Sequence, residues 1–187
     1  MMRVLDVGGG DKARDFPPEF EGWEHVVLDI NPGPDVGLVM DARNLTALAP
    51  SQFDAVYCSH NLEHYYLHEV PAVLAGVRHV MKPDAFIEIR VPDMMAVFLR
   101  VIVNDLDIES AMCESPAGVI TAHDIVYGWG KALAQGNLAY AHRCGFSRRS
   151  LERALCGAGF HGVGVRQVPE TLELRARAVQ GWVRGRA

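Results

Sequence analysis

The sequence predicts an α/β fold: an open twisted sheet, mostly parallel with an antiparallel last strand, with helices on both faces. Three observations lead there. Short, β-branched apolar runs alternate with longer segments of helical spacing. Glycines stand directly after the first run. The last two runs, Gly162 to Val168 and Thr171 to Ala178, are separated by a Pro169 turn alone. Parallel neighbours need crossovers of a dozen residues or more, so the final pair has hairpin spacing and one member runs against the rest.

Met2 to Val7 is the first strand and runs straight into Gly8-Gly9-Gly10. His25 to Ile30 is the second, closed by the turn signal Asn31-Pro32-Gly33-Pro34. Val36 to Met40 and Phe53 to Cys58 are the third and fourth. Leu67 to Met81 places apolar residues at near-helical spacing, and Lys82-Pro83-Asp84 stops it. Ala85 to Val91 is the fifth strand. Met94 to Val103 reads as a helix, Glu109 to Gly118 as a loop, and Ile120 to Leu138 as a helix interrupted by glycines. Ser147 occupies an N-cap position before Leu151, Ala154, Leu155 and Ala158, and Gly159 closes that helix.

The 187 residues suit a single domain, 1–187, with a core large enough to need no staples. Hydrophobic residues make up 49% and charged residues 22%, which excludes a disordered or fibrous chain. Lys+Arg 18 against Asp+Glu 23 leaves −5, so no general nucleic-acid binding is expected. The N-terminus lacks the pattern of a signal peptide, and no apolar run reaches the ~20 residues of a bilayer span. Cys58, Cys113, Cys144 and Cys156 form no C-x-x-C pair and are expected to be buried, reduced thiols. A cytoplasmic protein is the expectation.

Glycine at a strand end lets the backbone turn sharply and approach a ligand that a Cβ would push away. Asp29 closes the second strand, where a carboxylate can accept from both hydroxyls of a ribose. Gly8-x-Gly10-x-x-Ala13 formally fits a dinucleotide pattern, which makes a nicotinamide-dependent (NAD(P)) oxidoreductase one reading. That pattern needs a helix opening at the glycines. Asp15-Phe16-Pro17-Pro18 leaves little room for one, and Asp6 and Asp11 suit a cationic ligand better than a pyrophosphate.

The carboxylate-flanked glycine turn followed by an acidic strand end resembles the S-adenosylmethionine site of class I methyltransferases. Phe53-Asp54-Ala55-Val56-Tyr57-Cys58-Ser59-His60-Asn61-Leu62-Glu63-His64 resembles their fourth-strand segment, with the Leu-Glu-His signature of a small-molecule subgroup. Val77 to Pro83, Phe86 to Asp93 and Ala158-Gly159-Phe160 are similar to its later segments, so the resemblance covers most of residues 2 to 168. It implies a Rossmann-like sheet and S-adenosyl-L-methionine as cofactor. Asp6, Gly8, Gly9 and Gly10 would line the methionine end, and Asp29, with Ile30 beside it, would bind the ribose. Asp41 and Ala42 would recognise adenine, and Ser59 and His60 would lie near the sulfonium. Lys12 stands where a further glycine is usual, and Asp84-Ala85 where Gly-Gly is. Only three residues precede Val4, so the cofactor site is expected to be open, or covered by a second subunit (a homodimer) or by Ile120 to Leu138.

Methyl transfer from a sulfonium depends mainly on alignment, and a base is needed only for a protonated nucleophile. His60, His64 and His142 are the candidates. His60, His64 and His68 would share a face if helical, but no metal is expected. The segment at about 94–146, with Tyr127-Gly128-Trp129 and Ala141 to Phe146, is expected to build the pocket of a small-molecule acceptor. Arg175, Arg177, Arg184 and Arg186 read as a solvated tail. A non-catalytic S-adenosylmethionine-binding protein is the third reading.

Overall fold

The computed structural model describes residues 1–10, 16–115 and 118–181; Asp11, Lys12, Ala13, Asp15, Arg184 and Arg186 lie outside them. In chain order, β1 (Arg3–Val7), β2 (Glu24–Asp29), β3 (Val36–Val39) and β4 (Phe53–Ser59) precede helix α1 (Val70–Val80) and β5 (Met81–Pro92). Helix α2 (Met94–Val103) leads to β6 (Ala111–Ser115), β7 (Gly118–Thr121) and the short helices α3 (Ala122–Tyr127) and α4 (Gly130–Ala134). Helix α5 (Arg148–Gly157), β8 (His161–Val168) and β9 (Glu173–Val179) complete the order.

Seven strands form one sheet in the order β3-β2-β1-β4-β5-β9-β8. β1 pairs in parallel with β2 and β4, β4 pairs in parallel with β5, and β9 runs antiparallel to both β5 and β8. The antiparallel strand lies between β5 and β8, and the hairpin spacing accounts for its pairing with β8. Strand order reverses between β1 and β4, which opens a crevice at their carboxyl ends. Val7 pairs with Leu28 on one side and Cys58 on the other, so Gly8 emerges between the ends of β2 and β4.

Side chains alternate across the sheet with period two. Leu5, Val7, Val56, Ile87, Ile89 and Leu174 face α1 and α5 in the main core. Val4, Ala55 and Tyr57 face the other way, where Phe16, Phe20, Trp23 and Phe86 cover them. Among the described residues that second face is covered by aromatic rings and the 3-10 turn Pro18–Phe20, while α1 and α5 lie on the first.

α1 has 11 residues, too few to be stable alone. Val70, Val73, Leu74, Val77 and Val80 are all buried, and each contributes about 1.5–3 kcal/mol. That outweighs the cost of about 1 kcal/mol for Gly76 in mid-helix. A Cβ at Gly76 would stand 2.9 Å from the Leu45 Cβ, so glycine lets α1 seat on the 3-10 turn Ala42–Ala47. The helix starts at Val70 rather than Leu67 because Pro71, lacking an N–H, belongs in a first turn. Lys82 to Ala85 bulge from β5, since Phe53 pairs with Met81 and Ala55 with Phe86.

Two expectations are corrected. Glu109 to Gly118 is not simply a loop: β6 pairs antiparallel with β7, a partnership set by tertiary contact. Ile120 to Leu138 divides into the end of β7, α3, α4 and a 3-10 turn at Leu138–Tyr140, with the chain broken at Gly128 and after Ala134. Met94–Val103 is helical over the expected span, capped by Asp93, which accepts from the amides of Met95 and Ala96.

Candidate active site

Gly8 and Gly10 adopt φ of +75° and +57°, which only glycine takes without strain. The Gly8 amide donates to the Leu28 carbonyl at 2.7 Å. A Cβ at Gly8 would meet the Asn61 side chain, and one at Gly9 would stand 2.5 Å from the Asp6 carboxylate and 2.7 Å from Val27. Asp6 is fully buried and pairs with His25 Nε2 at 3.1 Å, and Phe16 stacks on that imidazole at 4.1 Å. Asp6 thus stands behind the turn, with its carboxylate enclosed.

Asp29 ends β2, partly exposed. Its Oδ1 accepts from the amide of Asn31 at 2.8 Å, which fixes the carboxylate, and its Oδ2 lies 3.7 Å from where a Gly10 Cβ would be. Ile30 beside it is exposed. Asp41 caps the turn that begins at Ala42, accepting from the Arg43 amide at 2.9 Å and pairing with the Arg43 guanidinium at 2.7 Å. Burial works to raise the Asp41 pKa, but these Arg43 bonds outweigh it and hold the carboxyl below its ordinary value. Arg43 also pairs with Glu69. Ala42 is fully buried, with the phenol of Tyr65 against its amide. Burial and the nearby Asp41 push that phenol well above its usual range.

β4 ends at Ser59, and His60 follows at φ +49° with its amide donating to the Arg90 carbonyl. The strained backbone is held by two carboxylates. His60 Nε2 lies 2.9 Å from Glu173 Oε1, and Nδ1 lies 3.4 Å from Glu63 Oε1. Desolvation opposes a charge there, but the bond to Glu173 and the nearby Glu63 carboxylate win and push the His60 pKa up to about 10. The two carboxylates therefore favour the charged form of the His60 imidazole. Glu173 is drawn down to about 2 against desolvation by the bond to His60, aided by Arg175 and Thr171.

The 3-10 turn Leu62–His64 brings Glu63 inside, 1% exposed. Its carbonyl accepts from the amides of Arg143 and Cys144, so the segment after α4 is tied to the signature turn. His64 and His142 meet with ring centroids 4.8 Å apart. Burial pulls the His142 pKa below that of a free imidazole. His68 is elsewhere, stacked on Tyr66, so the expected common face of His60, His64 and His68 does not form; one turn of 3-10 helix separates them from α1.

A cavity of about 660 Å³ opens beside Ser59 and His60 at the carboxyl ends of β4 and β5. Its wall includes Tyr57, Arg90, Glu114, Asp124, Trp129 and Glu173. Arg90 lies over the Tyr57 ring at 5.3 Å, and Asp124 closes a capping box with Thr121. Of the aromatic and histidine-bearing segments singled out by sequence, Trp129 and His142 reach the cavity. Arg175 and Arg177 are not a solvated tail: they belong to β9, where Arg175 pairs with Glu173 and Arg177 with Glu19. Glu173, Arg90 and Asp124 escaped the sequence reading because nothing local marks them. None of the four cysteines, all among the described residues, forms a disulfide, but Cys156 is exposed and only Cys58 is buried.

Residues 1–165 match the model of a methyltransferase domain family. Comparison with curated proteins finds no match. Among solved structures, a SAM-dependent methyltransferase from Archaeoglobus fulgidus superposes with a TM-score of 0.59 at 18% identity, covering 95% of this chain and 86% of that one. The 1,6-didemethyltoxoflavin-N1-methyltransferase of Burkholderia thailandensis, solved with 1,6-didemethyltoxoflavin and S-adenosylhomocysteine, gives 0.61 at 17%, covering 96% and 71%. A SAM-dependent methyltransferase from Methanosarcina mazei gives 0.57 at 14%, covering 96% and 92%. With the family model spanning most of its length, this chain belongs to the methyltransferase domain family, and its fold is shared with S-adenosylmethionine-dependent methyltransferases.

Proposed function

We propose that the protein transfers a methyl group from S-adenosylmethionine to a small-molecule acceptor held in the cavity beside His60. The observation that carries this is a juxtaposition. The glycine turn with Asp29 and the cavity share the sheet's carboxyl edge, separated only by the β1–β4 neighbour relation that sets Gly8 beside Ser59. The residues fit the cofactor: the turn is a cradle that a Cβ would fill, and Asp29 Oδ2 accepts no hydrogen bond among the described residues.

Gly8, Gly9 and Gly10 would hold the amino-acid end with Asp6 behind them, Asp29 and Ile30 the ribose, and Asp41 and Ala42 the adenine edge. Bound there, the cofactor supplies a methyl group already activated on a sulfonium. The chain's part is alignment. Ser59 and His60 stand at the junction of the two halves, and the His60 imidazole, fixed by Glu173 and Glu63, orients what enters. His142 lines the cavity with the His64 ring packed against it, and would face an acceptor's polar group. The segment at about 94–146 forms the acceptor side of a single domain.

The cavity volume lies within the range of about 300–1,000 Å³ of small-molecule sites, which supports an acceptor of metabolite size over a macromolecule. Carboxylates, two arginines, Tyr57 and Trp129 in its wall suit a polar, planar compound. The nicotinamide reading loses support from the sheet: β9 runs antiparallel next to β5, whereas the dinucleotide order 3-2-1-4-5-6 is parallel. No described helix is long and apolar enough to cross a membrane. Cytoplasmic residence and the lack of nucleic-acid binding belong to this reading, the latter supported by the net charge of −5. A homodimer also belongs to it, supported by the exposed apolar residues Met95, Phe98, Leu99 and Ile102 on α2.

Calorimetric titration with S-adenosylhomocysteine and with NAD tests the reading. Saturable heat with the first and none with the second is the expected result; heat with NAD alone rejects it.

A further inference from the structure

We propose that Glu63, His64 and His142 form a binding site for one first-row divalent metal ion of the zinc class, beside the acceptor cavity that His142 lines. One ligand atom from each of the three residues lies within 4.8 Å of the other two. Tetrahedral zinc bonds of about 2.0–2.1 Å would bring such atoms about 3.4 Å apart, so closing on an ion takes side-chain movements of about an ångström.

The backbone presets the imidazoles. His64 Nδ1 lies 3.1 Å from the Ala141 carbonyl, and His142 Nδ1 lies 2.8 Å from the Ile125 carbonyl. A carbonyl only accepts, so each Nδ1 carries a proton and Nε2 is left as the ligating nitrogen. Fixing one ring nitrogen on a carbonyl is how metal-binding histidines are oriented elsewhere. The second, independent observation is the carboxylate. Glu63 is 1% exposed, and neither of its oxygens has a hydrogen-bond partner among the described residues. The His60 imidazole faces Oε1 alone, at 3.4 Å, and leaves Oε2 unserved among the described residues. Buried polar atoms are rarely left so, and one cation would satisfy the carboxylate and both imidazoles together.

The donor set points to the class of ion. Two imidazoles and a carboxylate suit zinc and its neighbours, whereas magnesium and calcium take oxygen ligands. Three protein ligands leave a position open, and His142 lines the cavity. The expectation of no metal weighed His60, His64 and His68 with Glu63, and did not include His142. That the open position meets the acceptor rests on the methyltransferase reading; that the ion binds does not.

The test uses the purified full chain stripped with EDTA and titrated with Co²⁺, whose visible absorption reports its coordination. One Co²⁺ per chain is expected, displaced by Zn²⁺ but not by Mg²⁺, with affinity at least tenfold weaker in His142→Ala and Glu63→Gln. X-ray absorption on the wild-type zinc complex should show two imidazole ligands, a result that needs no variant to fold. Absence of saturable binding in the wild type, or equal binding in wild type and variants, overturns the site. S-adenosylhomocysteine is titrated in the same samples. Its binding without Co²⁺ binding removes the metal site alone, and Co²⁺ binding without it supports the site while removing the cofactor reading.

Discussion

A methyl group added at Gly9 would collide with the Asp6 carboxylate and the Val27 side chain, both fully buried. Neither can move freely, because Asp6 is paired with His25 and Val27 is held in β2 between β1 and β3. Gly9→Ala should therefore lower stability by about 1–3 kcal/mol, the usual cost of overpacking, read as a lower urea midpoint; an unchanged midpoint would show that the turn has slack. Asp29→Ala removes an acceptor from a partly exposed strand end. We expect it to weaken S-adenosylhomocysteine binding by about 1–3 kcal/mol, roughly 5- to 150-fold, while the urea midpoint stays near that of wild type. Calorimetry showing wild-type affinity would detach Asp29 from the cofactor. Asp29 was legible in the sequence because a carboxylate closing a strand after a glycine turn is a local pattern. Glu173 was not, since its partner His60 lies 113 positions away.

Strands β1, β4 and β5 are tied together at their other ends by Asp54, which accepts from the Arg3 amide at 2.9 Å and from Lys82 Nζ at 2.8 Å. Burial works to raise the Asp54 pKa, but Lys82 and the Arg3 amide hold it below its ordinary 3.8. A depressed carboxyl contributes stability that is present above its unfolded value and lost as pH falls through the folded one. Asp54→Asn should thus destabilise the protein at pH 7, and the difference from wild type should shrink as the pH is lowered below the ordinary value. Denaturant titrations at both pH values measure this, and a gap that widens on acidification would contradict it. Among the elements, α2 was legible to the residue because its apolar run follows Asp93, a cap that acts locally. The β6–β7 hairpin was not, because two short strands are stable only through each other.

For the whole molecule, a ligand that binds only the folded chain raises its stability by mass action. S-adenosylhomocysteine at a hundred times its Kd should add about 2.7 kcal/mol. For a chain of this size that is a rise in Tm of about 5–10 °C; no rise at saturation would mean that the crevice does not bind it. The apolar periodicity, the glycine turn and the closing hairpin determined the sheet, its antiparallel strand and the crevice proposed for the cofactor, because each rests on interactions within a few residues. Tertiary structure alone decided the raised pKa of His60, the convergence of Glu63, His64 and His142, and the wall of the acceptor cavity. Those depend on side chains brought together from β4, β9 and the segment after α4, and the field at a buried group is set by whatever the fold places around it.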